Sequence, residues 1–312
     1  MREFKRRRGY ITIAQDSGEI DYLRMAYGLA LSLKATQSKV PYLTVLVTPG
    51  AKIPTEYADV FDEVIDIPWG DAARHYEWKI HNKWKVYHMS PYEETILLDA
   101  DMIFPTDVSD WWDTIHHRDV WFTTQPVTYR GDPIVRKAYR ESFLVNQLPM
   151  AYTAFMFFRQ SDRACEYFDT VAAVYHSWRD MREHYRLRKS DPKLLEIMRE
   201  NNSILRYSWT HFFQDFPNEV SGDLAFAIAA KIMGVEDEFT HRGVFPTFTH
   251  MKTQDQGLGL ANTHWTDMLP FVLRDDLTLM VGHYRQQYPF HYVEKEWLTE
   301  DVMLKLENAA NG

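Results

Sequence analysis

Three things are scarce in this chain of 312 residues: cysteine, long apolar runs and positive charge. A single cysteine, Cys165, is read as excluding an internal disulfide framework and a Cys-based zinc site, and it suits a reducing compartment. Cys165 itself is expected to be a packing residue. No apolar stretch approaches the roughly 18 residues that cross a bilayer. The opening "MREFKRRRGY" carries charge with no apolar segment behind it, so neither anchor nor signal peptide is expected, and the expected location is the cytoplasm, away from membrane. With 35 basic against 44 acidic residues the net charge is −9, which argues against a surface that coats nucleic acid but leaves a local basic groove open.

What is present is ample material for a core, 45% hydrophobic and 15% aromatic. Short β-rich runs at Tyr10–Ala14, Tyr42–Pro49, Glu63–Pro68, Glu94–Asp99 and Asp119–Thr124 alternate with helical spacing, first in "DYLRMAYGLALSLKATQ" and then in "EWKIHNKWKVYHM". That alternation predicts an α/β fold, a mostly parallel sheet with helices on both faces. Beyond about residue 126 the rhythm changes. A buried strand is expected at Ala151–Arg159, then one long helix over "DRACEYFDTVAAVYHSWRDMREHYRLRK", a capped helix "SGDLAFAIAAKIMG" ending at Gly234, and a last strand "LTLMVGHY". Without repeats or linkers the chain forms one fused domain of two functional halves, 1–125 and 126–312.

The stretch "ETILLDADMIF" concentrates the chemistry. Residues i and i+2 of a strand point to one side, so Asp99 and Asp101 present two carboxylates together at the carboxyl end of Ile96-Leu97-Leu98, where open α/β sheets bind ligands. Paired acids repel unless a cation joins them, and hard oxygen donors suit Mg²⁺ or Mn²⁺ bridging to a diphosphate. The plainer alternative makes Asp99 a turn cap and Asp101 a solvated acid.

Those residues carry a resemblance. "YEETILLDADMIF" resembles the D-x-D segment of GT-A glycosyltransferases, family 8 above all, with a Rossmann-like central sheet. "YITIAQDSGEIDYLRMAYGLALSL" is similar to their first strand, nucleotide loop and first helix; "WKIHNKWKVYHMSPYEETILLDAD" to their lysine-bearing helix; "AYTAFMFFRQ" to a strand lining the sugar site; and "LMVGHYRQQYPFH" to their terminal histidine segment. The resemblance implies a sugar transfer from a nucleotide-sugar donor, a UDP-sugar first of all, to a hydroxyl. It implies that Mn²⁺ or Mg²⁺ is held by Asp99, Asp101 and His283. The donor would touch Ala14, Gln15, Asp16, Tyr22, Asn82, Lys83, Ala100, Thr153 and Arg285. Lys83 and Arg285 would oppose the departing diphosphate, with Lys79, Asn82 and Lys83 sharing a helix face; equally, these lysines fit a solvated face. Asp223 is the candidate catalytic acid, and its helix would also accept it as a first-turn acid. The family's Asp-Gln pair is replaced here by Gly222-Asp223-Leu224, which leaves retaining and inverting chemistry open; an inverting enzyme would use Asp223, or Glu219, as base.

For the acceptor, His250, Lys252 and His264 stand in aromatic, histidine-rich segments suited to sugar stacking. The "AQ…DYLRMAY…SLK" opening and "NKW" are similar to chains of T-even-type tailed bacteriophages, which implies host cytoplasm and 5-hydroxymethylcytosine in double-stranded DNA as acceptor, its base flipped out. A basic strip of Arg130, Arg136, Lys137, Arg140, Arg182, Arg186 and Arg188 would then track the phosphates. A glycan, protein or small-molecule acceptor, and a non-catalytic binding or virion-associated protein, are the alternatives.

Overall fold

Apolar runs bounded by turn residues form the strands of one central sheet. These are β1 (Arg6–Ala14), β2 (Leu43–Val47), β3 (Glu63–Asp66), β4 (Tyr92–Leu98), β6 (Val120–Thr123) and β7 (Tyr152–Arg159). The computed structural model describes residues 3–75, 79–134, 143, 146–189, 219–240, 248–251, 271–292 and 295–312. The strand order is β3-β2-β1-β4-β7-β6. The first four run parallel, and β7 runs against both β4 and β6. The α/β fold with a mostly parallel sheet is thus the one the alternation predicts. β1 begins four residues before the apolar run because Arg6 and Arg8 continue the ladder against Tyr92 and Glu94. Their guanidinium groups pair with Asp62 and Glu94.

The period of two sorts the core. Tyr10, Ile96, Leu98, Phe155 and Phe157 join the cluster on one face, while Ile11, Leu97, Met156 and Phe158 join the cluster on the other. α1 (Tyr22–Thr36) and α8 (Glu300–Asn311) cover the first face. α3 (Lys85–Met89), α5 (Asp162–Lys189) and α6 (Gly222–Met233) cover the second. Three short helices, α2 (Thr55–Ala58), α4 (Trp111–Ile115) and α7 (Glu236–Phe239), fill the connections. Ser221 caps α6 by accepting from the Leu224 amide, and Gly234 closes it with φ 66° in the left-handed region.

Two smaller sheets lie beyond the main one. β5 (Met102–Ile103), β12 (Phe290–His291) and β8 (Thr249–His250) form one, in the order β5-β12-β8; β9 (Phe271–Leu273), β10 (Leu279–Val281) and β11 (Tyr284–Arg285) form the other.

Two local expectations are corrected. Within the described part of the helix expected across residues 77–89, helix begins only at Lys85; residues 79–84 are turns, because Asn82 and Lys83 turn inward to polar partners instead of lying on a wet face. The last strand expected as "LTLMVGHY" folds back on itself at Gly282, whose φ of 58° lets β10 and β11 pair as a hairpin.

Gly9 gives a stability test. A methyl group there would overlap the ring of Tyr92, which is fully buried and bonded through its hydroxyl to Thr44 and Asp62. Gly9→Ala is expected to lower unfolding stability by roughly 1–3 kcal/mol, the cost of overpacking a tight core. A denaturant midpoint unchanged from wild type would refute it.

Candidate active site

The strand order reverses between β1 and β4: the chain leaves β1 for β2 and β3 on one side, then crosses back to place β4 on the other. A crevice opens outside the carboxyl ends at such a point. Asp99 and Asp101 follow the end of β4, and Ala14 ends β1 with Gln15 just after it. A cleft of about 260 Å³ is lined there by Gln15, Tyr22, Lys79, Lys83, Asp99, Ala100, Asp101, His291 and Lys295. Beside it, sharing Gln15 and Tyr22, a second hollow of about 390 Å³ is lined by Ala14, Asp16, Asp21 and Leu23 among others.

Each carboxylate of the pair already has an ammonium partner. Lys83 Nζ stands 2.5 Å from Asp99 Oδ1, and Lys295 contacts Asp101 Oδ2. His291 Nε2 lies 3.1 Å from the same Asp101 oxygen. Burial alone would raise the Asp101 pKa; His291 and Lys295 beside it overcome this and hold it well below the usual carboxylate range. Lys295 is the mirror case, since burial disfavours its charge but Asp101 more than restores it, so its pKa is raised. Its ammonium also sits 5.7 Å from the Tyr22 ring centre.

A polar chain leads from the acids to the helix expected to carry catalysis. Lys83 Nζ donates to Thr153 Oγ1 at 3.2 Å, and both the amide and the hydroxyl of Thr153 donate to Asp223 Oδ1, at 2.7 and 2.8 Å. Gly222 lets this end of α6 approach, as a side chain there would press on Thr153 and Lys83. Asp223 is therefore pinned by Thr153 in the first turn of the helix, whose own cap is Ser221. Thr153 lies wholly inside, and Ala100 lines the cleft.

The expected donor loop is ordered by its own contacts. Asn82 donates to Gln15 Oε1 at 2.9 Å and to Asp71 Oδ1 at 2.7 Å, and Gln15 donates to Asp71 Oδ1 at 2.7 Å. Asp16 turns to accept from the Gly18 amide. Lys79 donates to the carbonyls of Ala73 and Arg74, so the shared helix face for Lys79, Asn82 and Lys83 does not exist, although Lys79 and Lys83 both reach the cleft.

The histidine is another one. His283 and Arg285 sit exposed at the tip and return strand of the β10–β11 hairpin, whose glycine turn carries them away from the core. The imidazole against Asp101 belongs to His291, because β12 pairs antiparallel to β5 with His291 opposite Met102, next to Asp101. His250, expected on the acceptor side, is buried behind it: parallel pairing sets His250 beside His291, with the two Nδ1 atoms 2.9 Å apart. Glu219 is exposed. Lys252, His264, Arg136, Lys137, Arg140 and the side chains of Arg186 and Arg188 lie outside the described residues. Arg130 is exposed, its Nε donating to the Tyr129 hydroxyl, and Arg182 is half-buried.

Asp99, Asp101 and His291 bring one ligand atom each to within 4.8 Å of one another. Two carboxylate oxygens and an imidazole nitrogen form a set that fits Mn²⁺, or Mg²⁺ less well because of the nitrogen. Lys295 shares Asp101 with any such ion.

His291 and Lys295 escape sequence reasoning because nothing in "PFHYVEKEW" but an apolar-flanked histidine, with a lysine four residues on, distinguishes them.

No family model matches the sequence, and no curated protein matches it closely enough to count as a relative. Solved structures similar to it include a galactosyltransferase, LgtC, in complex with donor and acceptor sugar analogues, at 13% identity and TM-score 0.40, covering 55% of this chain and only 65% of that one. Mouse xyloside xylosyltransferase 1 in its apo form overlaps at 10% identity and TM-score 0.44, over 92% of this chain and 97% of that one. The apo glycosyltransferase GlyE of Streptococcus pneumoniae TIGR4 overlaps at 12% identity and TM-score 0.36, over 75% and 44%. Overlaps this loose establish neither family nor chemistry; the α/β fold rests on the strand order itself.

Proposed function

We propose that this chain is a metal-dependent glycosyltransferase of the GT-A type, moving a sugar from a nucleotide-sugar donor to a hydroxyl acceptor. The observation that carries the reading is the gathering of Asp99, Asp101, His291, Lys83 and Lys295 on one cleft at the reversal of strand order. Two acids, an imidazole and two ammonium groups suit a divalent ion and a diphosphate together, and few other ligands need both.

In this reading Asp99, Asp101 and His291 hold the ion, which when bound would neutralise diphosphate charge. The base and ribose lie in the hollow of Ala14, Asp16 and Tyr22, and the diphosphate lies between Lys83 and Lys295. Lys83 opposes the negative charge that grows on the leaving group as the glycosidic bond breaks. Thr153 orients Asp223 toward the same region, where its carboxylate serves the reacting sugar or the acceptor hydroxyl. His250 holds the ring of His291 from behind. His250→Ala is accordingly expected to weaken Mn²⁺ binding roughly 10–100-fold, as loss of an outer-shell partner does. Unchanged affinity by calorimetry would remove His250 from this role.

The arginine strip that suggests a DNA acceptor lies largely outside the described residues. Hydroxymethylated DNA therefore enters the test as one acceptor among several. The chain would be incubated with a panel of nucleotide sugars and Mn²⁺, with hydroxymethylated DNA, unmodified DNA, simple glycosides or water as acceptor. Release of nucleoside diphosphate is the expected result; absence of both binding and release with every donor would overturn the reading.

A second reading follows from the ammonium partners of Asp99 and Asp101. Lysines that already neutralise the acids would permit donor binding without a metal. Full donor affinity after exhaustive chelation would favour it.

A further inference from the structure

A second cluster of ligand atoms lies among residues that do not line the cleft. His88 on α3 and Cys165 and Asp169 on α5 bring Nε2, Sγ and a carboxylate oxygen to within 4.8 Å of one another. Cys165 and Asp169 are four residues apart on one helix face, so a single turn of α5 aims both at His88. His88 Nε2 stands 3.2 Å from Asp169 Oδ1, and Cys165 Sγ stands 3.8 Å from Asp169 Oδ2. With metal bonds of about 2.0–2.3 Å, tetrahedral nitrogen, oxygen and sulfur ligands stand roughly 3.3–3.6 Å apart. The His88 separation lies just below that edge length and the Cys165 separation, to the other carboxylate oxygen, just above it, so a small rotation of the Asp169 carboxylate would serve both.

We propose that His88, Cys165 and Asp169 form a zinc site with an open fourth position. One thiolate, one imidazole and one carboxylate are the donors Zn²⁺ prefers, and the two anionic ligands balance its charge. A lone cysteine in the sequence argues against a Cys-based zinc site; the structure reopens the question by placing His88 and Asp169 beside the single thiol. The His88 ring is set in advance by neighbours packed edge-on: Trp69 at 5.4 Å, Tyr87 at 5.3 Å and Trp84 at 5.9 Å between ring centres. Access is open, because a surface depression of about 670 Å³ lined by Asp162, Cys165, Glu166 and Asp169 leads to the thiol. Its acidic lining draws cations, and the fourth position is left to water. Without a metal, burial first and Asp169 next push the Cys165 thiol up, so it carries its proton. Binding forms the Zn–S bond and releases that proton to solvent. The ion would tie α3, which follows directly on Lys83, to the long helix α5.

The chain has one cysteine, so any thiolate–metal signal reports this site and not the D-x-D cleft. Reduced full-length protein would be titrated with Co²⁺ as a spectroscopic substitute for Zn²⁺ and followed by the near-ultraviolet thiolate-to-cobalt charge-transfer band. A saturable band at one equivalent is expected, displaced by Zn²⁺, absent in Cys165→Ser and retained in Asp101→Asn. Removing a direct ligand should cost at least the roughly tenfold that loss of an outer-shell partner costs, so His88→Ala and Asp169→Asn should each shift the titration by that much. Zn²⁺ should also slow alkylation of Cys165 in the wild type and much less in Asp169→Asn. A missing band in the wild type, or one of unchanged affinity in both ligand variants, would overturn the site. Neither outcome bears on the glycosyltransferase reading, since donor binding uses none of these three side chains.

Discussion

Asp101→Asn should remove Mn²⁺-dependent nucleotide binding, cutting donor affinity by about a hundredfold or more, while the fold survives. The carboxylate is buried, with His291 and Lys295 on the same oxygen, so it is the junction of the proposed metal set and the cationic wall. An amide keeps the shape but supplies a neutral oxygen and a donor where a hard cation needs charge. Sequence alone suggests a surface carboxylate at a strand end, which contributes little to the core. The structure corrects this, because the ammonium of Lys295 would lose its partner in a mostly buried place. Breaking a fully buried pair costs about 3–5 kcal/mol, and the 27% exposure of the Lys295 side chain places the cost below that range. The double variant Asp101→Asn with Lys295→Met should recover part of the stability and none of the metal dependence. Calorimetry that finds the same nucleotide-sugar affinity in Asp101→Asn, with and without Mn²⁺, would refute the metal role.

Lys83→Met should lower kcat by about 10²–10³-fold with a much smaller rise in KM, the size and pattern expected when a preorganised charge opposing a leaving group is lost. Lys83 is buried, 2.5 Å from Asp99 and 3.2 Å from Thr153 Oγ1, so its ammonium is held in place before any substrate arrives. Lys83→Arg should not restore the rate. The planar guanidinium needs more room than this site gives, where even a methyl group on Gly222 would touch the lysine stem. A variant with normal kcat and only a raised KM would reduce Lys83 to a ground-state contact.

Lys83 marks the limit of what periodicity reveals. Its segment has helical spacing, yet the chain turns there, because a lysine and an asparagine with buried polar partners gain more from Asp99, Thr153, Gln15 and Asp71 than from a regular helix. Propensity records a local preference, and tertiary contacts outweighed it.

The sequence by itself determined the sheet and the two acids. Alternating apolar runs such as Ile96-Leu97-Leu98 and Phe155-Met156-Phe157-Phe158 serve both faces of the sheet, and caps such as Ser221 and Gly234 mark the ends of α6; all of these signals are local. The spacing of Asp99 and Asp101 at the end of such a run is local as well. Only the tertiary structure decided which histidine meets them. His283 and His291 are eight residues apart in similar company, and no periodicity separates them. The choice is made by a hairpin at Gly282 that carries His283 outward, and by the pairing of β12 with β5 that sets His291 opposite Met102. Strand register between residues nearly two hundred positions apart is a global property, fixed by the packing of the whole core, so Lys295, the His250–His291 contact and the Thr153–Asp223 link became legible only with it.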